Sequence, residues 1–506
     1  MVVRLCCGAI RGVEAFRVDL EVDYGRQGMP SFVMVGLAEG AVRESRERVL
    51  KALQNSGFRL PPGRVTVNLA PADRRKEGSA YDLPLALGLL AAAGLLPAEV
   101  LEGWFFAAEL SLDGGLKPVP GALALALLAG QEHARGLLVA PENGREAALA
   151  EGVQVLAPRT LAEAAAFLAG RVELTPVDAP SAEERRGDGA DLADVKGQDK
   201  AKRAMEIAAA GGHNLLFIGP PGSGKTMLAR RMPGILPPLD RDEALEVTRI
   251  YSVAGLLENR GLITERPFRT PHHSDSSTAI IGGGVPPRPG EVSLAHRGVL
   301  FLDELPEFHR QALEVLRQPL EQGRVFISRA AYAVSYPADF MLLAAMNPCP
   351  CGYSTDPRRT CTCTAQEVVR YRSKLSGPLL DRLDMHVEVP AVSYEDIRSA
   401  RSGPSSAQVR ERVVRARQVQ TDRYRGTDCR TNAGLSGRML DEYCRLGRAE
   451  HEFLGNAVNT LGLSARAYTR ILRVARTIAD LDGAAEISLA HIAEAVSCRV
   501  LDRGLL

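Results

Sequence analysis

The feature that most constrains this chain is a glycine-rich segment, residues 219–226, between an apolar run and a helical pattern. The apolar run, residues 215–218, is typical of a buried parallel strand. The segment matches G-x-x-x-x-G-K-[S/T], a loop whose backbone N–H groups, helix N-terminus and lysine hold phosphates. The predicted ATP-binding residues are Gly219, Pro220, Pro221, Gly222, Ser223, Gly224, Lys225 and Thr226, with Thr226 placed to bind Mg²⁺.

Two further apolar runs end in polar residues suited to ATP hydrolysis. Residues 299–304 read as a buried strand that ends in Asp303 and Glu304. Asp303 can hold Mg²⁺ through water, and Glu304 can polarise the attacking water. Residues 340–346 predict a third strand, and Asn347 follows it at the edge where ligands of open α/β sheets collect. These residues predict an α/β P-loop ATPase that uses Mg²⁺.

Composition limits where such a chain works. A formal net charge of +1 means that nucleic-acid binding must come from local patches. The first residues carry no signal-peptide core, and nine cysteines, an odd number, fit a reducing cytosol. The longest apolar stretch, residues 83–100, contains Pro84, Pro97 and Glu99, which favours a buried helix over a membrane span. We therefore expect a cytoplasmic protein without a membrane partner.

The chain divides into four parts by pattern. Residues 1–172 form a first unit of mixed strands and helices, with strands predicted at 17–23 and 65–69 and a helix at 42–56. Residues 173–190 are rich in Pro, Asp, Glu, Gly and Ser and predict a linker. Residues 191–400 hold the ATPase motifs, and residues 401–506 predict a helical lid.

Taken together, these motifs resemble the magnesium-chelatase-like AAA+ family called YifB or ComM. The stretches that carry the resemblance are residues 219–226, 267–273, 298–304, 347–353, 376–384 and 464–468. The resemblance implies an AAA+ P-loop αβα core with a helical lid that assembles into hexameric rings on DNA. ComM members of the family act as branch-migration helicases in natural transformation.

The resemblance also implies roles for three polar residues in catalysis. Asn347 matches sensor 1, Arg382 matches the arginine finger that reaches the neighbouring subunit's γ-phosphate, and Arg466 matches sensor 2. A finger supplied in trans makes hydrolysis depend on ring closure. The alternative for Arg382 is an ion pair with Asp381 or Asp384. The alternative for Arg466 is an ordinary surface arginine, and its action in cis or in trans stays open.

The first unit resembles the Lon-protease-like α+β module that shares its fold with domain 2 of ribosomal protein S5. Ala80 stands where Lon proteases carry the nucleophilic serine, and Leu123 falls near the place of their catalytic lysine. Ser79 with Lys76 or Lys117 is the remaining candidate dyad, but both lysines are predicted to be solvated turn residues. We expect a non-catalytic platform for assembly or DNA.

Two close cysteine pairs form an insert at residues 349–363, directly after Asn347. Four thiolates in two pairs suit tetrahedral Zn²⁺, and free thiols are the alternative. The predicted ligands are Cys349, Cys351, Cys361 and Cys363.

Other segments are candidates for the DNA path or the adenine site. Residues 269–284, with His272 and His273, predict a loop in the ring channel, as the family resemblance implies. A hairpin at 323–336 offers Arg329 and Tyr332 to DNA, or is simply solvated. The arginines of residues 408–421 form a basic face that either tracks a DNA backbone or is solvated. Residues 194–198 and 213–214 are expected beside the adenine.

The sequence therefore predicts an ATP-dependent, ring-forming DNA motor with ATP and Mg²⁺ as cofactors. From the resemblance we expect a homohexamer that acts as a branch-migration helicase and promotes integration of transforming DNA by homologous recombination. The alternatives are a magnesium-chelatase-type motor subunit, an ATP-dependent Lon-like protease and a non-enzymatic platform.

Overall fold

The computed structural model describes residues 2–26, 29–36, 40–180, 190–257, 261–329, 332–393, 398 and 403–503. The first unit is built on one seven-stranded sheet in the order β3-β4-β2-β1-β5-β8-β9. Its strands, with a separate pair formed by β6 and β7, are β1 (Val2–Arg11), β2 (Glu14–Gly25), β3 (Ser31–Val35), β4 (Arg64–Ala70), β5 (Trp104–Ala107), β6 (Glu109–Leu110), β7 (Leu116–Lys117), β8 (Gly136–Val139) and β9 (Gln154–Leu156). Its helices are α1 (Gly40–Asn55), α2 (Asp82–Ala92), α3 (Ala122–Gln131), α4 (Pro141–Ala147) and α5 (Leu161–Leu168).

This unit mixes an antiparallel hairpin with parallel strands. β1 and β2 pair antiparallel over their full lengths, and β5, β8 and β9 run parallel. The helix α2 is buried over almost its whole length, as expected for an apolar segment. It ends at Ala92, short of the predicted end of the apolar stretch, and a 3₁₀ turn (Ala98–Leu101) follows Pro97. The two prolines and Gly94 divide the stretch, because proline cannot continue a helical hydrogen-bond ladder.

The structure corrects the prediction for one lysine of this unit. Lys76 is fully buried, and its ammonium donates to the backbone carbonyls of Gly36 and Pro71. Burial lowers the pKa of Lys76. Lys117 is exposed, as predicted. Lys76 was misjudged because its neighbours in sequence are polar, whereas its ammonium is held by the nearby Pro71 carbonyl together with the carbonyl of Gly36, which lies 40 residues away.

The ATPase core is a five-stranded parallel sheet in the order β11-β14-β17-β10-β18. The strands of this region, with two hairpins outside the sheet, are β10 (Leu215–Ile218), β11 (Phe268–Arg269), β12 (Gly282–Gly283), β13 (Arg288–Pro289), β14 (Val299–Leu302), β15 (Arg324–Arg329), β16 (Tyr332–Pro337), β17 (Met341–Met346) and β18 (Met385–Glu388). β10, β14 and β17 are buried at every residue, which explains their continuous apolar runs.

Short helices and a C-terminal helical bundle cover this sheet. The helices are α6 (Asp199–Gly211), α7 (Lys225–Ala229), α8 (Met232–Ile235), α9 (Arg241–Ala254), α10 (Ser277–Ile281), α11 (Glu291–Leu294), α12 (Arg310–Glu314), α13 (Arg317–Gln322), α14 (Ala365–Arg372), α15 (Gly377–Leu380), α16 (Ser406–Arg423), α17 (Gly437–Tyr443), α18 (Arg448–Leu461), α19 (Ala465–Leu481) and α20 (Leu489–Ser497). The sequence pattern predicts lid helices at 435–444, 452–461, 465–481 and 489–501, and the bounds of the last four helices agree with these to within four residues. The helix after the phosphate loop ends at Ala229, and a second begins at Met232, where one helix was expected.

The basic face predicted for α16 is mostly an internal contact surface. Its described partners are in the ATPase core: Arg410 donates to the carbonyl of Gly234, Arg412 pairs with Glu206, and Arg417 donates to the carbonyl of Ala209. Arg423 pairs with Asp480 on α19. These four arginines therefore fasten the helix to the core and the lid, whereas Arg415 of the same face is exposed.

The two units touch through α3 and α9. The N–H of Gly121 donates to the carbonyl of Ser252 at 3.0 Å, and Val13 joins the hydrophobic cluster of the ATPase core. The start of the predicted linker is docked on the first unit, since Val177 N–H bonds the Val155 carbonyl at 2.9 Å. Within the described residues, no helix combines the length and apolar character that crossing a membrane requires.

Candidate nucleotide site

The carboxyl ends of β10, β14 and β17 converge on the phosphate loop. The ammonium of Lys225, which lies at the start of α7, donates to the carbonyls of Gly219 at 2.7 Å and Pro220 at 2.9 Å. It also donates to Oδ1 of Asn347 at 3.2 Å. The predicted sensor 1 residue and the phosphate-loop lysine are therefore in direct contact, although 122 residues separate them. The parallel order of β10 beside β17 brings them together.

The environment of Lys225 destabilises the charged form of its side chain. Burial lowers its pKa from 10.5 to about 8, and the nearby Asp303 and Glu304 carboxylates oppose that shift. Its ammonium is bonded to carbonyl dipoles, which accept hydrogen bonds but carry no full charge. A phosphate beside it would supply the missing counter-charge.

The predicted magnesium ligands also meet. Oγ1 of Thr226 donates to Oδ2 of Asp303 at 2.5 Å, so the two oxygens are already adjacent. Hydroxyl and carboxylate oxygens are the ligands Mg²⁺ uses beside phosphates. The pair therefore fits the metal that a P-loop ATPase uses.

Glu304 lies one residue further, at the rim. Its backbone is in the left-handed region at φ 52°, which is unusual for a glutamate. Its N–H donates to Oδ1 of Asp303 at 3.0 Å. Its side chain is 59% exposed, so water reaches the carboxylate that is predicted to activate it.

A histidine that was predicted to face the ring channel contacts this carboxylate. Nδ1 of His273 lies 3.7 Å from Oε2 of Glu304. The His273 ring stacks near His272, with centroids 4.1 Å apart, and turns its edge toward Phe308. β11 pairs with β14, so the segment after β11 emerges beside the end of β14. The sequence signal was the His pair itself, but its position followed only from strand order.

Only part of the adenine prediction fits the structure. Nε2 of Gln198 donates to the carbonyl of Ser223 at 3.1 Å, which places residues 194–198 beside the phosphate loop. His213 and Asn214, however, precede β10 and therefore lie at the amino ends of the parallel strands, on the side of the sheet opposite the phosphate loop. His213 is fully buried and bonds Thr477, and Asn214 binds the backbone of Leu342. That prediction is wrong for these two residues, because the amino end of a strand is remote from the loop at its carboxyl end.

The predicted arginine finger is not directed at the phosphate loop of its own chain. Arg382 pairs with Glu321 and donates to the Pro378 carbonyl at 2.5 Å. Its side chain is only 12% exposed, and its Nε has no hydrogen-bond partner among the described residues. It lines a cavity of about 530 Å³ with α10, α12, α13 and Phe326. Sequence reasoning did not anticipate Glu321 as its partner.

The predicted sensor 2 arginine lies beside the finger. Nη1 of Arg466 donates to Oδ2 of Asp381 at 2.8 Å, and the Arg466 side chain is 72% exposed. Asp381 is adjacent to Arg382 in sequence, so both arginines belong to one local surface. The catalytic role of Arg466 stays a prediction.

The four cysteines of the insert come together. The Sγ atoms of Cys349, Cys351 and Cys361 are 3.4 to 3.8 Å apart, and all four ligand atoms lie within 4.8 Å of one another. A tetrahedron of four sulfurs around zinc at 2.3 Å has edges of about 3.8 Å. The cluster therefore has the size of a zinc site.

Profiles of known protein families match the first unit, the ATPase core and the C-terminal lid. The family profile described as magnesium chelatase, subunit ChlI, matches residues 191–397. Subunit ChlI of Mg-chelatase matches residues 20–143, and the subunit ChlI C-terminal profile matches residues 403–499. The chain is 46% identical over 500 residues to competence protein ComM of Haemophilus influenzae, covering 98% of this chain and 97% of that protein.

The chain belongs to the magnesium-chelatase-like AAA+ family of ComM and YifB. It is also 46% identical to protein YifB of Salmonella typhimurium over 502 residues, covering 98% and 97% of the two chains. Lon protease 2 of Bacillus subtilis is 28% identical over 185 residues, covering 31% of this chain and 32% of that protein. The expected Mg-chelatase AAA+ fold with Lon-like homology is confirmed. The AAA+ family suggests an ATPase and implies ATP and Mg²⁺ as cofactors, which the Lys225, Thr226 and Asp303 geometry fits.

Proposed function

We propose that this chain is an ATP-driven ring motor on DNA, and that it acts in the cytoplasm as a branch-migration helicase. Its task would be to promote integration of transforming DNA by homologous recombination. The 46% identity to a protein named for competence supports this biological role. The observation that carries the motor proposal is the separation of Arg382 from the Lys225 site within one chain. The Arg382 carbonyl accepts from Asn214 at the amino end of β10, whereas Lys225 follows the carboxyl end of that strand.

That separation favours a ring in which each ATP site is shared. One chain supplies Lys225, Thr226, Asp303, Glu304 and Asn347, and the next supplies Arg382. In the single chain the guanidinium of Arg382 is held by Glu321 and the Pro378 carbonyl, and it would have to leave these partners to reach a neighbouring phosphate. A head-to-tail contact that repeats around an axis closes into a ring when its rotation allows. The number of six subunits is taken from the family resemblance, so a homohexamer is the proposed assembly.

The residues of the site divide the work of hydrolysis. Lys225 neutralises the β- and γ-phosphates, and bound Mg²⁺ supplies further positive charge there. Glu304 takes the proton of the attacking water. Asn347 already accepts a hydrogen bond from Lys225. It therefore orients hydrogen-bond donors, including the Lys225 ammonium, toward the γ-phosphate. Arg382 of the neighbouring chain stabilises charge in the transition state and makes turnover depend on the ring.

Two hairpins that border the Arg382 cavity are the proposed DNA-facing elements. The turn between β12 and β13 exposes 79% of Val285, and β15 exposes 54% of Phe326. The aromatic ring of Phe326 provides a stacking surface for a base, and Val285 provides an apolar contact. The side chains of Arg329 and Tyr332, the predicted contacts at the hairpin tip, lie outside the described part of the chain.

The cysteine cluster is proposed to hold one structural Zn²⁺. The observed grouping supports the metal over four free thiols, because all four sulfurs converge within 4.8 Å of one another, as the ligands of one tetrahedral ion must. Purified protein should carry ~1 zinc ion per chain, since four thiolates complete one tetrahedral shell. A metal-free preparation with full activity would contradict the site.

A protease is the weaker alternative for the first unit. Leu123 is fully buried in α3, and the buried ammonium of Lys76 is bonded to backbone carbonyls. Neither arrangement offers a base beside a free serine hydroxyl. A magnesium-chelatase motor subunit would share the ATPase core, and a DNA-dependence assay distinguishes it from a helicase.

The test of the DNA proposal measures ATP turnover with no DNA, single-stranded DNA, duplex and a four-way junction, together with strand movement at the junction. We expect stimulation by DNA and ATP-dependent dissociation of the junction. The Lys225→Ala protein is the control for ATP dependence. Unstimulated turnover without strand movement would exclude the helicase.

The test of the shared site mixes two inactive variants, Arg382→Ala and Lys225→Ala. In random mixed rings, about one quarter of the interfaces pair an intact Lys225 with an intact Arg382, so activity should partly return. The control is either variant alone at the same total concentration. Two inactive variants that stay inactive together would place the finger in cis or remove it from catalysis.

A further inference from the structure

The cysteine insert is packed directly on the phosphate loop. Gly352 follows Cys351, and its N–H closes a turn on the carbonyl of Cys349 at 3.0 Å. A Cβ placed on Gly352 would lie 2.5 Å from Cδ and 2.7 Å from Cγ of Pro221. The backbone of the metal-binding turn therefore touches the loop that holds the phosphates, at a distance only glycine allows.

The same turn is continuous with the sensor 1 residue. Asn347, which accepts a hydrogen bond from Lys225, is two residues from Cys349. The intervening Pro348 carbonyl accepts hydrogen bonds from the Arg372 guanidinium at 3.1 and 3.3 Å. Cys349 is fully buried. Movement of Cys349 would therefore shift Asn347 on one side and Gly352 on the other.

The remaining ligands come from a polar loop that has no comparable packing. Cys361 and Cys363 lie in a stretch without regular secondary structure, and most of its neighbours are exposed. The N–H of Cys351 donates to Sγ of Cys363 at 3.4 Å. With few apolar contacts to hold this loop, a metal bound by all four sulfurs would fix its position.

We propose that the four-cysteine site is a support for the nucleotide site: its zinc ion holds residues 349–352 against Pro221 and Asn347. Loss of the metal then loosens the phosphate loop and weakens ATP binding. The inference rests on the proposed zinc but not on the proposed action on DNA, because ATP binding is measured without DNA.

The first test perturbs the contact and leaves the thiols in place. In Gly352→Ala the new methyl group meets Pro221, and the backbone at φ +85° disfavours a side chain. We expect zinc content to be unchanged and the affinity for a fluorescent ATP analogue to fall by about tenfold. The control is Gly152→Ala, which has a similar φ of +78° and open space around its Cβ. Equal affinities in both variants would overturn the proposal.

The second test removes the metal from the far side of the cluster. Cys361→Ser should lose zinc and, like Gly352→Ala, bind the ATP analogue about tenfold more weakly. Cys6→Ser, a half-buried thiol of the first unit, should change neither quantity. Stripping wild-type protein with phenanthroline, which prefers zinc to magnesium, should weaken binding, and added zinc should restore it.

These measurements separate the ways in which the idea can fail. Protein purified without zinc would overturn both the metal site and the support. Zinc loss with unchanged ATP affinity would overturn the support alone. If ATP binding is weakened in these variants but ATP turnover of the wild-type protein does not respond to DNA, the supporting role of the cysteine site would stand and the helicase proposal would be wrong.

Discussion

Lys225 should make ATP binding depend on pH in the mildly alkaline range. In the free protein burial lowers its pKa to about 8. At about pH 7 roughly nine-tenths of the lysine is charged, and at about pH 9 roughly one-tenth is charged. Bound phosphates favour the charged form and raise the pKa, so binding above about pH 8 must take up a proton. The affinity for MgATP should therefore fall by about tenfold between these two pH values.

Isothermal titration calorimetry measures both consequences. Titrations in two buffers of different ionisation enthalpy give the number of protons taken up, which should be about 0.1 near pH 7 and about 0.9 near pH 9. The Glu304→Gln protein is suited to this assay, because hydrolysis is slowed while the lysine remains. A second readout is the free energy of unfolding of the free protein, which should rise as pH increases from about 8, where the folded state gives up this proton first.

The matched control is Lys225→Arg, whose guanidinium stays charged throughout this range. Its ATP affinity, whatever its absolute value, should be flat with pH and without proton uptake. A wild-type protein with pH-independent affinity and no proton uptake near pH 9 would refute the reasoning. Lys225 would then keep an ordinary pKa, and its burial would not destabilise the charged form.

Three further predictions concern the site and the lid. Glu304→Gln should still bind ATP and hydrolyse it at least about 100-fold more slowly, measured by phosphate release, and an unchanged rate would remove Glu304 as the base. His273→Ala should change kcat with little effect on ATP affinity, because His273 contacts Glu304. The control is His309→Ala, which replaces an exposed histidine nearby and should change neither quantity. If the two variants had equal kinetics, the contact of His273 with Glu304 would have no role in catalysis. Asp384, despite its burial, has a pKa held low by Arg470 and His213, so Asp384→Asn should cost about 3 to 5 kcal/mol of unfolding free energy. Asp422→Asn, which breaks an exposed pair, should cost under about 1 kcal/mol in the same urea titration.

Most elements of the fold could be predicted from the sequence. The apolar runs of β10, β14 and β17 are each closed by a polar or glycine residue, and the structure reproduces them within a residue or two. The lid helices followed from their periodicity, as α19 shows by beginning and ending at the predicted residues. These signals are local, because each comes from the alternation of apolar and polar side chains along one element.

Errors occurred where the partner of a charged side chain is distant in sequence. The arginines of α16 were expected either to track a DNA backbone or to be solvated, yet Arg412 pairs with Glu206 across the lid–core boundary. Lys76 was predicted to be solvated and is buried. A charge run has the same appearance in sequence whether its partners are phosphates, water or another helix.

For the functional site, too, some features follow from the sequence and others only from the fold. The sequence by itself determined which chemical groups are present: a phosphate loop with Lys225, an Asp-Glu pair after a strand, and four cysteines in two close pairs. These residue types bind phosphate, Mg²⁺ and zinc because of their own functional groups.

Only the tertiary structure decided which of these groups meet. The strand order β11-β14-β17-β10 places His273 against Glu304 and Asn347 against Lys225. The same fold turns Arg382 toward Glu321 and sets Gly352 of the cysteine insert on Pro221. Contacts between segments depend on how parallel strands are ordered in the sheet, and no local pattern of residues along the chain contains that order.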